Sequence, residues 1–67
     1  MENKQRICDL LLATLQATRY FDDLIALDYN EQTEIVIAGF SNGRFKFANV
    51  AADSGIAMIR DIIKQIT

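Results

Sequence analysis

The chain contains no proline, no histidine and no tryptophan, and it has a single cysteine, Cys8. Without histidine it has neither the commonest metal ligand nor the general base of serine and cysteine hydrolases. With one cysteine it cannot form an intrachain disulfide, which excludes the small disulfide-stapled folds of secreted proteins. We therefore expect a cytoplasmic protein that is not an enzyme and that holds no metal and no cofactor.

The length of 67 residues predicts one small domain that spans residues 1–67. Hydrophobic residues make up 51% of the chain, which is too many for a disordered segment. No stretch approaches the roughly 18 uninterrupted apolar residues that a membrane span requires, because Asp9 and Gln16 interrupt the first apolar run. We expect a soluble domain without a membrane segment.

Two stretches have the apolar spacing of amphipathic helices. From Lys4 to about Arg19 the chain is rich in good helix formers and free of glycine. Its apolar residues fall on one wide arc: Ile7, Cys8, Leu10, Leu11, Leu12 and Leu15. The second stretch runs from Asp53 to Ile66, with Asp53 or Ser54 as the N-cap. Its apolar stripe is Ile56, Ile59, Ile62, Ile63 and Ile66, with Met58 at the edge.

The sequence between the two helices predicts three β-strands, at residues 24–29, 34–40 and 44–49. The dipeptide Asn42-Gly43 is a strong hairpin signal between the second strand and the third. Together these elements predict an α+β fold: helix, three-stranded antiparallel β-meander, helix (α-β-β-β-α). We expect both helices to pack on one face of the sheet.

The register of the hairpins decides which sheet face is the core. If both loops have an even number of residues, Phe40 pairs with Phe45 and Tyr29 pairs with Glu34. One face then gathers the aromatic residues, and we expect it to be the core: Ile25, Leu27, Tyr29, Val36, Ala38, Phe40, Phe45 and Phe47. A three-residue turn at Asn42-Gly43 is the alternative, and it would place Phe45 and Phe47 across from the Phe40 face.

The remaining apolar residues form a surface too large for a lone monomer to leave exposed. We expect it to contain Cys8 and Leu12 of the first helix together with the apolar half of the second sheet face: Leu24, Ala26, Ile35 and Ile37. Contiguous exposed apolar patches usually mark interfaces, and a short chain gains most from a partner that enlarges its core. We therefore expect self-association as a homodimer, with a protein partner as a further possibility.

No constellation of residues points to catalysis. The acidic pair Asp22-Asp23 lacks the alternating ligand spacing of a Ca²⁺ loop. Cys8 lies among apolar neighbours, where a cysteine behaves as a small hydrophobe, and Ser41 and Ser54 have no base partner. A small molecule held between the helices and the sheet is a weaker hypothesis, since a pocket needs about 300 Å³.

The order helix, three-stranded meander, helix is similar to that of the double-stranded RNA-binding domain. That resemblance implies phosphate contacts from lysines at the start of the second helix, but residues 51–57 contain no lysine and one carboxylate. The net charge of −2 also has the wrong sign for phosphate neutralisation. Nucleic-acid binding through Arg44 and Lys46, with Arg19 and Arg60 as further candidate contacts, is therefore the alternative function, and protein association is the leading one.

Overall fold

A helix, three antiparallel strands and a second helix follow one another along the chain, which confirms the predicted order and the α+β class. The computed structural model describes residues 3–51 and 54–67. Within that part of the chain the elements are α1 (Lys4–Gln16), β1 (Leu24–Asn30), β2 (Ile35–Phe40), β3 (Phe45–Asn49) and α2 (Gly55–Ile66).

Both helices begin at a side chain that accepts a hydrogen bond from an otherwise unpaired backbone N–H. The Asn3 side chain accepts from the Arg6 N–H at 3.0 Å, and the Ser54 hydroxyl accepts from the Ala57 N–H at 3.3 Å. Of the two predicted caps for α2, Ser54 is confirmed, whereas Asp53 lies outside the described residues. No helix in residues 3–51 and 54–67 combines the length and the apolar character needed to cross a bilayer.

The three strands form one sheet in the order β1-β2-β3, and both helices cover the same face of it. α1 packs mainly against β1, and α2 packs against β3. The strand residues that face the helices are Leu24, Leu27, Tyr29, Val36, Ala38, Phe40, Lys46 and Ala48. The core also takes Phe21 and Val50 from the connections, three residues of α1 and the buried stripe of α2. The prediction that both helices share one face is confirmed.

The turn between β2 and β3 has three residues, Ser41, Asn42 and Gly43. Gly43 has a φ of +84°, a left-handed conformation that glycine adopts at little cost. The Gly43 N–H donates to the Phe40 carbonyl at 3.0 Å, and the Phe40 N–H donates to the Arg44 carbonyl, which closes the hairpin. A three-residue hairpin with glycine in this position is the common alternative to the two-residue turn.

This turn makes the predicted register of β3 wrong by one residue. Phe45 lies opposite Gly39 instead of Phe40, and Phe47 lies opposite Ile37 instead of Ala38. Because side chains alternate along a strand, a shift of one residue moves every side chain of β3 to the other face. The expected aromatic core is therefore wrong for two residues: Phe45 and Phe47 point away from the helices, and Ala48 occupies the core in their place. Tyr29 and Phe40 pack against the core as predicted. The three-residue alternative is the correct one.

A second correction concerns the start of β1. In the β1–β2 hairpin Tyr29 pairs with Val36 instead of Glu34, which is a register shift of two residues. Because side chains alternate along a strand, an even shift leaves each side chain on its predicted face of the sheet. However, the register is irregular between Leu24 and Ala26, which marks a β-bulge. As a result Leu24 is fully buried, whereas Ile25, expected in the core, is 58% exposed.

The helices bury a different set of side chains from the one expected. Cys8 was expected to point away from the sheet, yet it is fully buried together with Leu11 and Leu15. In α2 the buried side chains are Met58, Ile62 and Ile66, and Gly55 is buried at the start of the helix. Ile56, expected in the stripe, is exposed because the sheet contacts the neighbouring arc of α2.

Two lysines attach the ends of the helices to the sheet. The Lys4 ammonium donates to the Val50 carbonyl at 3.0 Å, lies 3.8 Å from a Glu34 carboxylate oxygen, and sits 5.7 Å from the centre of the Tyr29 ring. The Lys46 ammonium donates to the Ile66 carbonyl in the last turn of α2, where a cation is favoured by the helix dipole.

We predict stability losses of very different size for two large-to-small substitutions. Ile62→Ala removes a fully buried side chain and should lower the free energy of unfolding by about 2–5 kcal/mol. Phe47→Ala truncates a ring that is 61% exposed and should cost less than about 1 kcal/mol in the isolated chain. Denaturant titration at low protein concentration measures both values. A large loss for Phe47→Ala under those conditions would contradict the register described above.

Candidate interaction surface

The sheet face that neither helix covers is called here the open face. It is formed by alternate residues of the three strands: Ala26, Asp28, Asn30, Ile35, Ile37, Gly39, Phe45, Phe47 and Asn49. Asp28 is the one charged residue that the described strands place on it. The polar residues lie at one end and along β1, so its centre and its β3 side are apolar.

Phe45 and Phe47 are the most prominent side chains of the open face. They are 64% and 61% exposed, although each is a large apolar ring. Their neighbours across the sheet are Gly39 and Ile37. Scattered exposed apolar residues are ordinary, but two aromatic rings side by side on one face of a strand form a contiguous patch.

Gly39 gives the open face its local shape. A Cβ placed on this residue would lie 3.5 Å from the Ala26 Cβ and 3.6 Å from Cε1 of Phe45, which shows that the Phe45 ring leans over the glycine. Gly39 is buried in consequence. The small residues of β1 and β2 therefore let the ring lie along the sheet instead of standing upright from it.

The predicted self-association residues divide into two groups. Ala26, Ile35 and Ile37 lie on the open face and are half-buried. Cys8 and Leu24 lie in the core of the monomer and are fully buried, so neither can form part of an accessible surface. Leu12 is half-buried and packs against the core as well. The sequence reasoning missed Phe45, Phe47 and Ile25, because it assigned all three to the core.

The two leading candidates for contact with nucleic acid lie apart from the exposed rings. Lys46 sits on β3 between Phe45 and Phe47, so its side chain leaves from the opposite face of the sheet. Its ammonium is bound to the Ile66 carbonyl at 3.0 Å and lies 5.8 Å from the centre of the Phe40 ring. Arg44 is exposed beside the turn. One of the two cations is therefore already engaged in capping α2.

A second apolar feature lies between the helices. α1 and α2 diverge enough to leave an open groove of about 340 Å³, lined by Ile7, Leu10, Leu11, Thr14 and Ile59. Leu10 is 59% exposed at its rim. The groove has almost no polar lining, so it offers no group that would orient a small molecule.

Neither metal chemistry nor thiol chemistry is built into the described residues. In residues 3–51 and 54–67, no three cysteine or acidic side chains come close enough to hold a metal ion. Burial raises the pKa of the Cys8 thiol to about 11, and the carboxylates of Asp9 and Asp28 add to the effect. At neutral pH this thiol is protonated and shielded, which makes it a poor nucleophile.

The raised pKa of Cys8 predicts a dependence of stability on pH. In the unfolded chain the thiol ionises near the ordinary cysteine pKa of 9.0, whereas in the folded chain its pKa is about 11 and it stays protonated up to that pH. Between these values the unfolded state binds fewer protons, so the free energy of unfolding falls as the pH rises. Denaturant titrations from pH 8 to pH 11 measure this decline.

The control for that prediction is Cys8→Ala. Tyrosine and lysine side chains also titrate in this range, and the variant retains them all. The wild-type chain should therefore lose more stability than Cys8→Ala between pH 9 and pH 11. Parallel curves for the two proteins would show that Cys8 is accessible to solvent.

The comparisons with known proteins add no functional assignment. No protein-family model, no curated protein sequence and no solved structure matches this chain. The similarity to the double-stranded RNA-binding domain is thus one of element order. The surface geometry described above is the basis for any statement about function.

Proposed function

We propose that this chain is a small non-catalytic protein that acts by association, first with a second copy of itself and also with a protein partner. The observation that carries the proposal is the exposure of Phe45 and Phe47 on the open face, at 64% and 61%. Both rings belong to one strand, and Ile37 lies beside them on β2.

Energetic considerations support this use of the surface. Burying an aromatic side chain completely stabilises a protein or complex by about 1.5–3 kcal/mol relative to leaving it in water. In the monomer more than half of that gain is unrealised at each of the two rings. A chain of 67 residues has a small core, so an interface of this kind is a substantial addition to its stability.

The proposal includes a cytoplasmic location and the absence of catalysis. Support for the location comes from the single cysteine, which leaves the chain without an intrachain disulfide. Support for a non-catalytic role comes from the lack of histidine and from the raised pKa of the Cys8 thiol. Nucleophilic catalysis needs an activated group, and neither residue type supplies one here.

Self-association can be tested by light scattering coupled to size exclusion. At a protein concentration of about 100 µM we expect a mass near twice 7.6 kDa, and dilution should shift it towards the monomer. The double variant Phe45→Ser/Phe47→Ser should remain monomeric at the same concentration, because it removes the apolar patch without disturbing the core.

The matched control is Tyr20→Ser. Tyr20 is an aromatic residue of similar exposure, 68%, but it lies in the connection between α1 and β1 and not on the open face. This variant should associate as the wild-type chain does. A wild-type chain that is monomeric throughout the concentration range would exclude self-association, and loss of association in Tyr20→Ser would assign it to another surface.

Single-stranded nucleic acid binding is the second candidate, and the exposed rings favour it. Aromatic side chains on an open sheet can stack on unpaired bases, and Arg44 is an exposed cation beside the β2–β3 turn. Against it stand the net charge of −2, the Asp28 carboxylate on the same face and the engagement of Lys46 with α2. Protein association therefore ranks first.

Binding of a single-stranded oligonucleotide at about 50 mM salt tests this candidate. If the open face binds nucleic acid, the affinity should fall steeply as salt increases, since phosphate contacts release counterions. Arg44→Ala should reduce that salt dependence, whereas Arg60→Ala, on α2, should leave it unchanged. No detectable binding at the low salt concentration would exclude the candidate.

A further inference from the structure

The two edge strands of the sheet differ in how far other residues hydrogen-bond to their outer backbone groups. A sheet of three strands has two edge strands, and each presents a row of backbone N–H and C=O groups that its neighbour does not use. Here the edge strands are β1 and β3, since the order is β1-β2-β3. What covers each row decides whether another strand can pair with it.

Glutamine side chains of α1 hydrogen-bond to two backbone groups in the outer row of β1. The Gln5 side-chain oxygen accepts a hydrogen bond from the Tyr29 N–H at 2.9 Å, and the Gln16 side-chain amide donates to the Leu24 carbonyl at 2.9 Å. These contacts satisfy outward groups near both ends of the strand. The bulge at Ile25 disrupts the row further, and bulges are a common device against edge pairing.

The outer row of β3 has no such cover. In an antiparallel pair, alternate residues direct both backbone groups towards the same neighbour. Arg44 bonds to β2 through its carbonyl, and Lys46 and Ala48 are in phase with it. The backbone groups of Phe45 and Phe47 therefore point away from β2, and no residue in the described part of the chain hydrogen-bonds to them.

The usual protection of an edge strand is also missing from β3. Natural edges often carry a lysine whose charge discourages pairing. β3 does have a lysine, but Lys46 donates its ammonium to the Ile66 carbonyl at the end of α2. Its ammonium therefore lies on the helix side of the sheet. The side chains next to the unpaired backbone groups of β3 are the exposed rings of Phe45 and Phe47.

We infer that β3 pairs antiparallel with β3 of a second copy of this chain, centred on Phe47, so that two sheets join into one sheet of six strands. The inference rests on the proposed self-association and names the surface it uses. Because Phe45, Phe47 and Asn49 are the outward residues, this register lets each of their N–H groups meet a carbonyl of the other copy. Phe47 faces Phe47 of the second copy, and Phe45 faces the second copy's Asn49.

Each neighbouring register leaves one outward residue of β3 unpaired: Asn49 when the pair is centred on Lys46, and Phe45 when it is centred on Ala48. Centring the pair on Lys46 would also bring the two lysine positions directly opposite each other. Like charges opposite each other destabilise a sheet. In the register centred on Phe47, Lys46 instead faces Ala48 of the second copy. The five residues of β3 form a small interface, so we expect a dissociation constant on the order of tens of micromolar.

Amide hydrogen exchange on the wild-type chain tests the pairing directly. Spectra recorded at about 1 mM and at about 20 µM bracket the expected dissociation range. The amide protons of Phe45, Phe47 and Asn49 should exchange about 4-fold more slowly at the higher concentration, since they gain hydrogen bonds between copies and exchange only from the monomer, whose fraction falls as the concentration rises. The Lys46 and Ala48 amides, which face β2, are the internal control and should be protected at both concentrations.

The other outcomes separate this inference from the proposed function. If light scattering shows a dimer while the exchange of the three outward amides is independent of concentration, the copies associate by another surface and the inference is wrong. If the chain is monomeric at both concentrations, both the inference and the proposed self-association are wrong.

Disulfide formation tests the register. In the double variant Phe45→Cys/Asn49→Cys, each new thiol faces a new thiol in the other copy, within the roughly 4.4–6.8 Å Cα separation of a disulfide. Mild chemical oxidation should link the two copies. The single variant Phe45→Cys is the matched control. Its new thiol faces Asn49 of the second copy, so the two new thiols of a dimer would be separated by about four residues along the strands, or ~13 Å. Equally efficient linking of the control would overturn the register.

Discussion

The left-handed conformation of Gly43 is the constraint on which the proposed interaction surface depends. With a φ of +84° at this residue the β2–β3 turn takes three residues, and β3 enters the sheet one position out of step with a two-residue turn. That single step places Ala48 in the core and exposes Phe45 and Phe47. A two-residue turn would have buried the rings and would have placed Arg44, Lys46 and Ala48 on the open face instead.

The core is formed without the rings of Phe45 and Phe47. Its largest fully buried side chains are aliphatic or contain sulfur, among them Leu24, Leu27, Met58 and Ile62. The bulge at Ile25 turns Leu24 into the core, and Phe21, in the connection after α1, is buried in the core as well. Because the aliphatic residues already fill the space between sheet and helices, the rings of β3 are available for a role outside the monomer.

Polar side chains of α1 and β3 determine how accessible the sheet edges are. Gln5 and Gln16 of α1 hydrogen-bond to two groups in the outer backbone row of β1. The Lys4 ammonium, at the start of α1, donates to the Val50 carbonyl. Lys46 instead turns to the end of α2 and leaves the row of β3 uncovered. The molecule therefore has one protected edge and one open edge, and the open edge coincides with its exposed aromatic residues.

The sequence alone determined the element order, the α+β class, the start of α2 at a cap of Asp53 or Ser54, and the packing of both helices on one sheet face, because these follow from local propensities and apolar periodicity. It could not determine the faces of the sheet, since Asn42-Gly43 suits both a two-residue and a three-residue turn and the two differ by one residue of register. It also could not show that Lys46 binds the end of α2 or that glutamines of α1 hydrogen-bond to β1. Those contacts join residues far apart in the chain, and only the packed structure brings them together.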